Sequence, residues 1–124
     1  MIANLLTLVF LVSQPVAGTA EPVEAETVVP LNAAQQGAIR CSAAFALVAD
    51  KQSKGDAAAL EYPPMGERGR EFFVRSGARL MDQAGMTRET LAARLHREVD
   101  AIRAEGSLDE VMPPCLVLLE ASGL

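Results

Sequence analysis

Cys41 and Cys115 are the only cysteines in this chain of 124 residues, and the fold turns on whether they are joined. In an exported protein such a pair is read first as a disulfide. A cross-link between them ties an early helix to a late one. Closing so long a loop restricts the unfolded chain and stabilises the fold by up to about 4 kcal/mol. The competing reading is two buried free thiols. Metal binding is not expected, because zinc takes four ligands and His96 is the only histidine.

The disulfide reading depends on export, and the N-terminus carries the signs of it. Residues 5–12 form a short apolar block of signal-peptide length, and the first charged side chain is Glu21. Pro15 breaks the helix after that block. Gly18 and Ala20 then supply the small −3 and −1 residues of a peptidase site, so 1–20 is read as a signal peptide cleaved after Ala20, or alternatively after Gly18. The segment departs from the pattern in having no Lys or Arg before the block. The competitor, an uncleaved anchor, is short for a membrane, since crossing ~30 Å of hydrocarbon takes about 20 apolar residues. No cysteine follows the block to carry a lipid.

Residues 21–31 are acidic, carry two prolines and show no helical period, so they are read as an extended, mobile leader. The domain proper is 32–124. Half of the chain is apolar, yet there is no Trp and only one Tyr and four Phe. Ala and Leu must fill the core, which favours close-packed helices over sheets.

A first helix is predicted to start at Asn32, which with Gln35 makes a capping box. Cys41, Phe45 and Val48 then form one stripe, with Ala44 and Leu47 beside them, and the helix fades at Lys54-Gly55. A connection over 55–66 allows a short helical turn at 57–60 and stops at Tyr62-Pro63-Pro64-Met65. The second helix, 67–84, presents Phe72, Phe73, Leu80 and Met81 inward, with Gly77 read as a close helix crossing rather than a hinge. Gly85 ends it. The third helix has Thr87 as N-cap, Met86 and Leu91 as a hydrophobic staple, Glu89 in its first turn and Gly106 at its end. Its stripe is Leu91, Leu95, Val99 and Ile102. Ser107 and Glu110 suggest another capping box, and Pro113-Pro114 is expected to interrupt before a last helix that carries Cys115. The run Leu116-Val117-Leu118-Leu119 is apolar on nearly all sides, so this helix is expected to be central and most buried, with a strand as the runner-up. The expected fold is all-α: a small orthogonal bundle of about four helices closed by one disulfide.

Groupings that carry chemistry are few. The net charge of −5, from 16 acidic and 11 basic side chains, argues against nucleic acid as a partner. There is no haem-attachment motif, phosphate loop or Gly-x-Ser-x-Gly, and His96 has no evident Ser, Cys or Asp partner. No catalytic residue and no cofactor is therefore assigned. Arg68, Arg70, Arg75 and Arg79 cluster on the second helix, and Arg68, Arg75 and Arg79 share a face. They read either as an anion or acidic-partner site or, preferred here, as a solvated face paired with Glu67, Glu71 and Asp82. Tyr62-Pro63-Pro64-Met65 reads as a plain loop rather than a partner-docking segment.

One cysteine sits early in the first long helix (Arg40-Cys41-Ser42-Ala43-Ala44-Phe45), and its mate follows prolines in the last (Met112-Pro113-Pro114-Cys115). In that layout, over 40–119, the chain resembles small exported two-cysteine helical proteins of proteobacteria. It is also similar to the periplasmic acid-stress chaperones of the HdeA type. The resemblance implies a periplasmic or secreted, non-enzymatic protein that binds another protein, a client or an apolar ligand, with a chaperone-like response to acid. Two other readings stand beside it. One is a membrane-anchored interaction protein that keeps residues 1–20. The other is a small enzyme or metal accessory built on His96 with Glu98, Asp100 or Glu110.

Overall fold

Asn32 starts the first helix as its spacing with Gln35 predicts. The Gln35 amide donates to Asn32 Oδ1 at 2.8 Å, and the Asn32 amide donates to Gln35 Oε1 at 3.0 Å. The computed structural model describes residues 29–124. The signal-peptide reading of 1–20, and the leader up to 28, lie outside the described residues. The elements are α1 (Ala33–Ser53), a 3-10 turn (Ala59–Glu61), α2 (Gly66–Ala84), α3 (Arg88–Glu105) and α4 (Leu108–Ala121). No strand occurs among the described residues. The fold is a small all-α bundle of four helices, with Cys41 of α1 bonded to Cys115 of α4 at a Cα–Cα distance of 5.2 Å.

The centre of the bundle is α1, not α4 as its apolar run suggested. α1 packs on every other helix, and it buries Ile39, Cys41, Ser42, Ala43, Ala44, Phe45, Leu47 and Val48. Ala43 and Ala44 let neighbours approach from more than one side. α4 packs chiefly on α1 alone, so only one stripe of it is covered: Val111, Met112, Cys115 and Leu119. Val117 is left 70 % exposed and Leu118 38 %. An apolar run is buried all round only where helices lie on all sides of it.

The predicted break at Pro113-Pro114 is absent, and α4 runs through both from Leu108. Each proline lacks the amide that would bond four residues back, which frees the carbonyls of Asp109 and Glu110. Both of those residues are exposed, as are the prolines, so water can satisfy the carbonyls. Met112 and Cys115 on either side are held in the core and carry the helix through.

The Ser107–Glu110 capping box does not form either. The Gly106 amide donates to Arg103 O and the Ser107 amide to Ile102 O, both at 3.2 Å. That pair of bonds is a Schellman closure of α3, with Gly106 left-handed at φ +62°. It holds Ser107 at φ −98°, ψ 9°, away from the extended geometry of an N-cap, and its hydroxyl lies 3.1 Å from Glu105 Oε2.

Two more expectations shift. Met81 is exposed, because it lies about 100° around the helix from buried Leu80. The end of the leader is docked: Val29 and Leu31 pack on a small cluster of Ile39, Leu80, Met86 and Leu91, and Arg94 donates to Val29 O at 3.2 Å. The same cluster contains the Met86–Leu91 staple, and Thr87 caps α3 by accepting from the Thr90 amide at 3.1 Å.

The Tyr-Pro-Pro-Met connection is pinned from inside. Gln52 Nε2 donates to the carbonyls of Ala59, Tyr62 and Pro63 at 3.0, 3.2 and 2.9 Å. Gln52 Oε1 accepts from the Met65 amide at 3.0 Å, and the Met65 side chain is fully buried.

Glycines report how closely the helices cross. A Cβ on Gly69 would lie 3.0 Å from Phe45 Cβ, an atom fixed to the α1 backbone. One on Gly77 would meet only Leu91 Cδ2, the end of a flexible side chain, and one on Gly37 would meet nothing within 4 Å. Chemical denaturation of the three alanine variants should therefore rank them. Gly37→Ala gains up to about 1 kcal/mol from helix propensity, and Gly77→Ala lands near zero. Gly69→Ala loses stability, because separating two helices at a tight crossing costs about 1–3 kcal/mol. A stabilised Gly69→Ala would show that α1 and α2 do not cross there.

Candidate functional site

The concavity with the most useful chemistry lies where α2 and α4 diverge over the first half of α1. α1 contributes the small residues Ala34 and Ala38, one turn apart, to its floor. Phe72 and Leu80 of α2 form one apolar wall, and Leu118 and Ala121 of α4 form the other. The groove holds about 320 Å³, near the lower bound of about 300 Å³ for small-molecule clefts.

Polar groups gather on the α2 rim. Arg75, Ser76, Arg79 and Gln83 border the groove there, and Asn32 and Gln35 at the start of α1 border it as well. No acidic side chain lines it, although the chain as a whole carries a net −5. Arg75 Nε donates to Glu71 Oε1 at 3.0 Å, an exposed pair of the kind worth under about 1 kcal/mol. Arg79 makes no ion pair among the described residues.

The predicted arginine cluster is thus divided. Arg75 pairs with Glu71 as expected. Arg68 instead bridges helices, reaching Glu120 at 3.1 Å and donating to the Leu124 carbonyl. Glu67 and Asp82 form no ion pair among the described residues. Arg70 borders a separate shallow cleft with Phe73 and Leu95.

The second sizeable concavity is neutralised by its own charges. It lies between the end of α1 and the start of α4. Lys54 bonds Asp50 at 2.8 Å, Lys51 lies 3.9 Å from Asp56, and the Tyr62 hydroxyl donates to Asp109 Oδ1 at 2.8 Å. The hydrogen bond from Lys54 holds the Asp50 carboxyl below its usual range. Burial, and then the hydrogen bond to Asp109, holds the Tyr62 phenol above its usual range, so it stays a proton donor at neutral pH.

The remaining sequence candidates do not converge. His96 is exposed on α3, Asp100 is exposed one turn further along the same helix, and Glu110 is exposed on α4. Glu98 is taken by Arg40 at 2.6 Å, and Glu105 lies 3.6 Å from the same guanidinium. Among the described residues no group of three or more His, Cys, Asp or Glu side chains could hold a metal ion. No described helix is long and apolar enough to cross a membrane.

Sequence reasoning found the arginines and missed the groove they border. The one usable signal was the spacing of Ala34 and Ala38, small residues one turn apart near the start of α1. No family model, curated protein or solved structure matches this chain.

Proposed function

We propose that this chain is an exported, non-enzymatic binding protein of the periplasm, and that its ligand carries an apolar part seated in the α1–α2–α4 groove. The observation that supports the reading most is Leu118, a large apolar side chain left 38 % exposed beside a ready-made apolar floor. The disulfide fits an oxidising compartment. Edman sequencing of the exported protein should begin at Glu21. An intact Met1 in that material would favour the anchored reading instead.

For the binding claim, a neutral apolar dye such as Nile red should brighten with the native protein at pH 7, and Leu118→Asp should abolish the signal. A dark dye, or a Leu118→Asp variant that is folded and still brightens it, would remove the reading.

An acid-responsive chaperone is the second reading, and the bundle's cross-links support it. Among the described residues, the side-chain pairs between helices are Arg40 with Glu98 and Glu105, and Arg68 with Glu120. All use carboxylates, whose charge acid removes while the arginines stay charged and repel one another. The disulfide would keep α4 on α1 as the other helices loosen. This version requires the protein to suppress client aggregation on lowering the pH from neutral to strongly acidic conditions.

A further inference from the structure

We infer that the groove takes a single-chain alkyl carboxylate, with its tail on the apolar floor and its head group on Arg79. The inference rests on the groove-binding reading above and names the class of ligand.

The tail follows from the floor. Phe72, Leu80 and Leu118 line the groove together with Ala34 and Ala38, and no acidic side chain is among the lining residues to repel an anion. A volume of about 320 Å³ suits a small flexible chain, whereas a docked helix is about 10 Å across and would overfill it. The head group follows from the rim. Arg75 and Arg79 stand one turn apart, about 6 Å along α2, on the same side of the groove. Glu71 already occupies Arg75 through its Nε, which leaves the Arg79 guanidinium as the unengaged cation. One free guanidinium matches one carboxylate, because its planar fork pairs two N–H groups with two oxygens. A phosphate monoester would bring about two charges to a site that has one cation to spare. Ser76 and Gln83 add uncharged donors on the same rim.

The test compares dodecanoate, dodecyl phosphate and dodecyl maltoside, each below its micelle concentration. Amide chemical-shift changes in the native protein report where each binds, and calorimetry reports how tightly. Dodecanoate should shift Ala34, Ala38, Arg79 and Leu118 and bind at least about tenfold more tightly than the maltoside, the scale of a hydrogen bond to a charged group. Arg79→Gln should remove that advantage without changing maltoside binding, and Arg79→Lys should restore part of it. Equal affinity for dodecanoate and maltoside in the groove would overturn the carboxylate assignment while the apolar-ligand reading survived. Tighter binding of the phosphate would overturn it likewise. Shifts from none of the three would sink both.

Discussion

Reducing the Cys41–Cys115 disulfide should lower the stability of this domain by about 4 kcal/mol, the scale for a loop closed across 74 residues. The loop runs from the middle of α1 to the middle of α4 and encloses α2 and α3 entirely. Cross-linking it removes many extended conformations from the unfolded chain and few from the folded one. Domains of this size are stable by about 5–15 kcal/mol, so the loss takes away a large share. Urea unfolding with and without reductant measures it directly. The midpoint should fall, and the slope should rise because an open chain exposes more surface. A Cys41→Ala, Cys115→Ala double variant should match the reduced protein closely, since both sulfurs are buried and alanine leaves no polar group behind. A midpoint that reductant does not move would mean that the two thiols are not joined in the purified protein.

What the sequence revealed about this fold was mostly local. Asn32 with Gln35, Thr87 and Gly106 mark helix ends through bonds that span three to five residues, Gly85 marks another by its left-handed backbone, and each stands where the spacing puts it. The stripe Cys41, Phe45, Val48 likewise gave the buried face of α1. The misreadings share a cause. Whether Val117 and Leu118 are covered depends on how many helices reach α4, and periodicity carries no count of neighbours. Ser107 has the composition of a cap, but the closure of α3 at Gly106 fixes its backbone first. Gly69 and Gln52 looked unremarkable in the chain. One is needed only because Phe45 approaches it, and the other only because three loop carbonyls turn toward it. The groove was illegible for the same reason. It is a space between three helices, and Arg75 and Arg79 acquire a role only once Ala34, Ala38 and Leu118 are set opposite them.

Phe45→Ala should cost about 3–5 kcal/mol, comparable to losing the disulfide, and for a different reason. The Phe45 side chain is fully buried, and its ring meets Phe72 edge-on with centroids 5.2 Å apart and planes at 85°. It belongs to one cluster with Met65, Ile102, Met112 and Leu119, all buried. A core with so few aromatic rings has no other large group to fill the space. The surroundings cannot collapse easily, because α1 is pinned to α4 by the disulfide and to α2 by the contact at Gly69. The exposed Val117→Ala should stay within about 0.5 kcal/mol in the same urea titration, which controls for generic loss of apolar surface. Unlike reduction, the cavity acts on the folded state, so the slope of the transition should hold while its midpoint falls. Phe72 also walls the groove, so removing its partner ring should weaken Nile red binding under conditions where the variant is still fully folded. A loss below about 1 kcal/mol would place the centre of packing elsewhere than the α1–α2 crossing. It would also take from the groove the rigid wall that its selectivity requires.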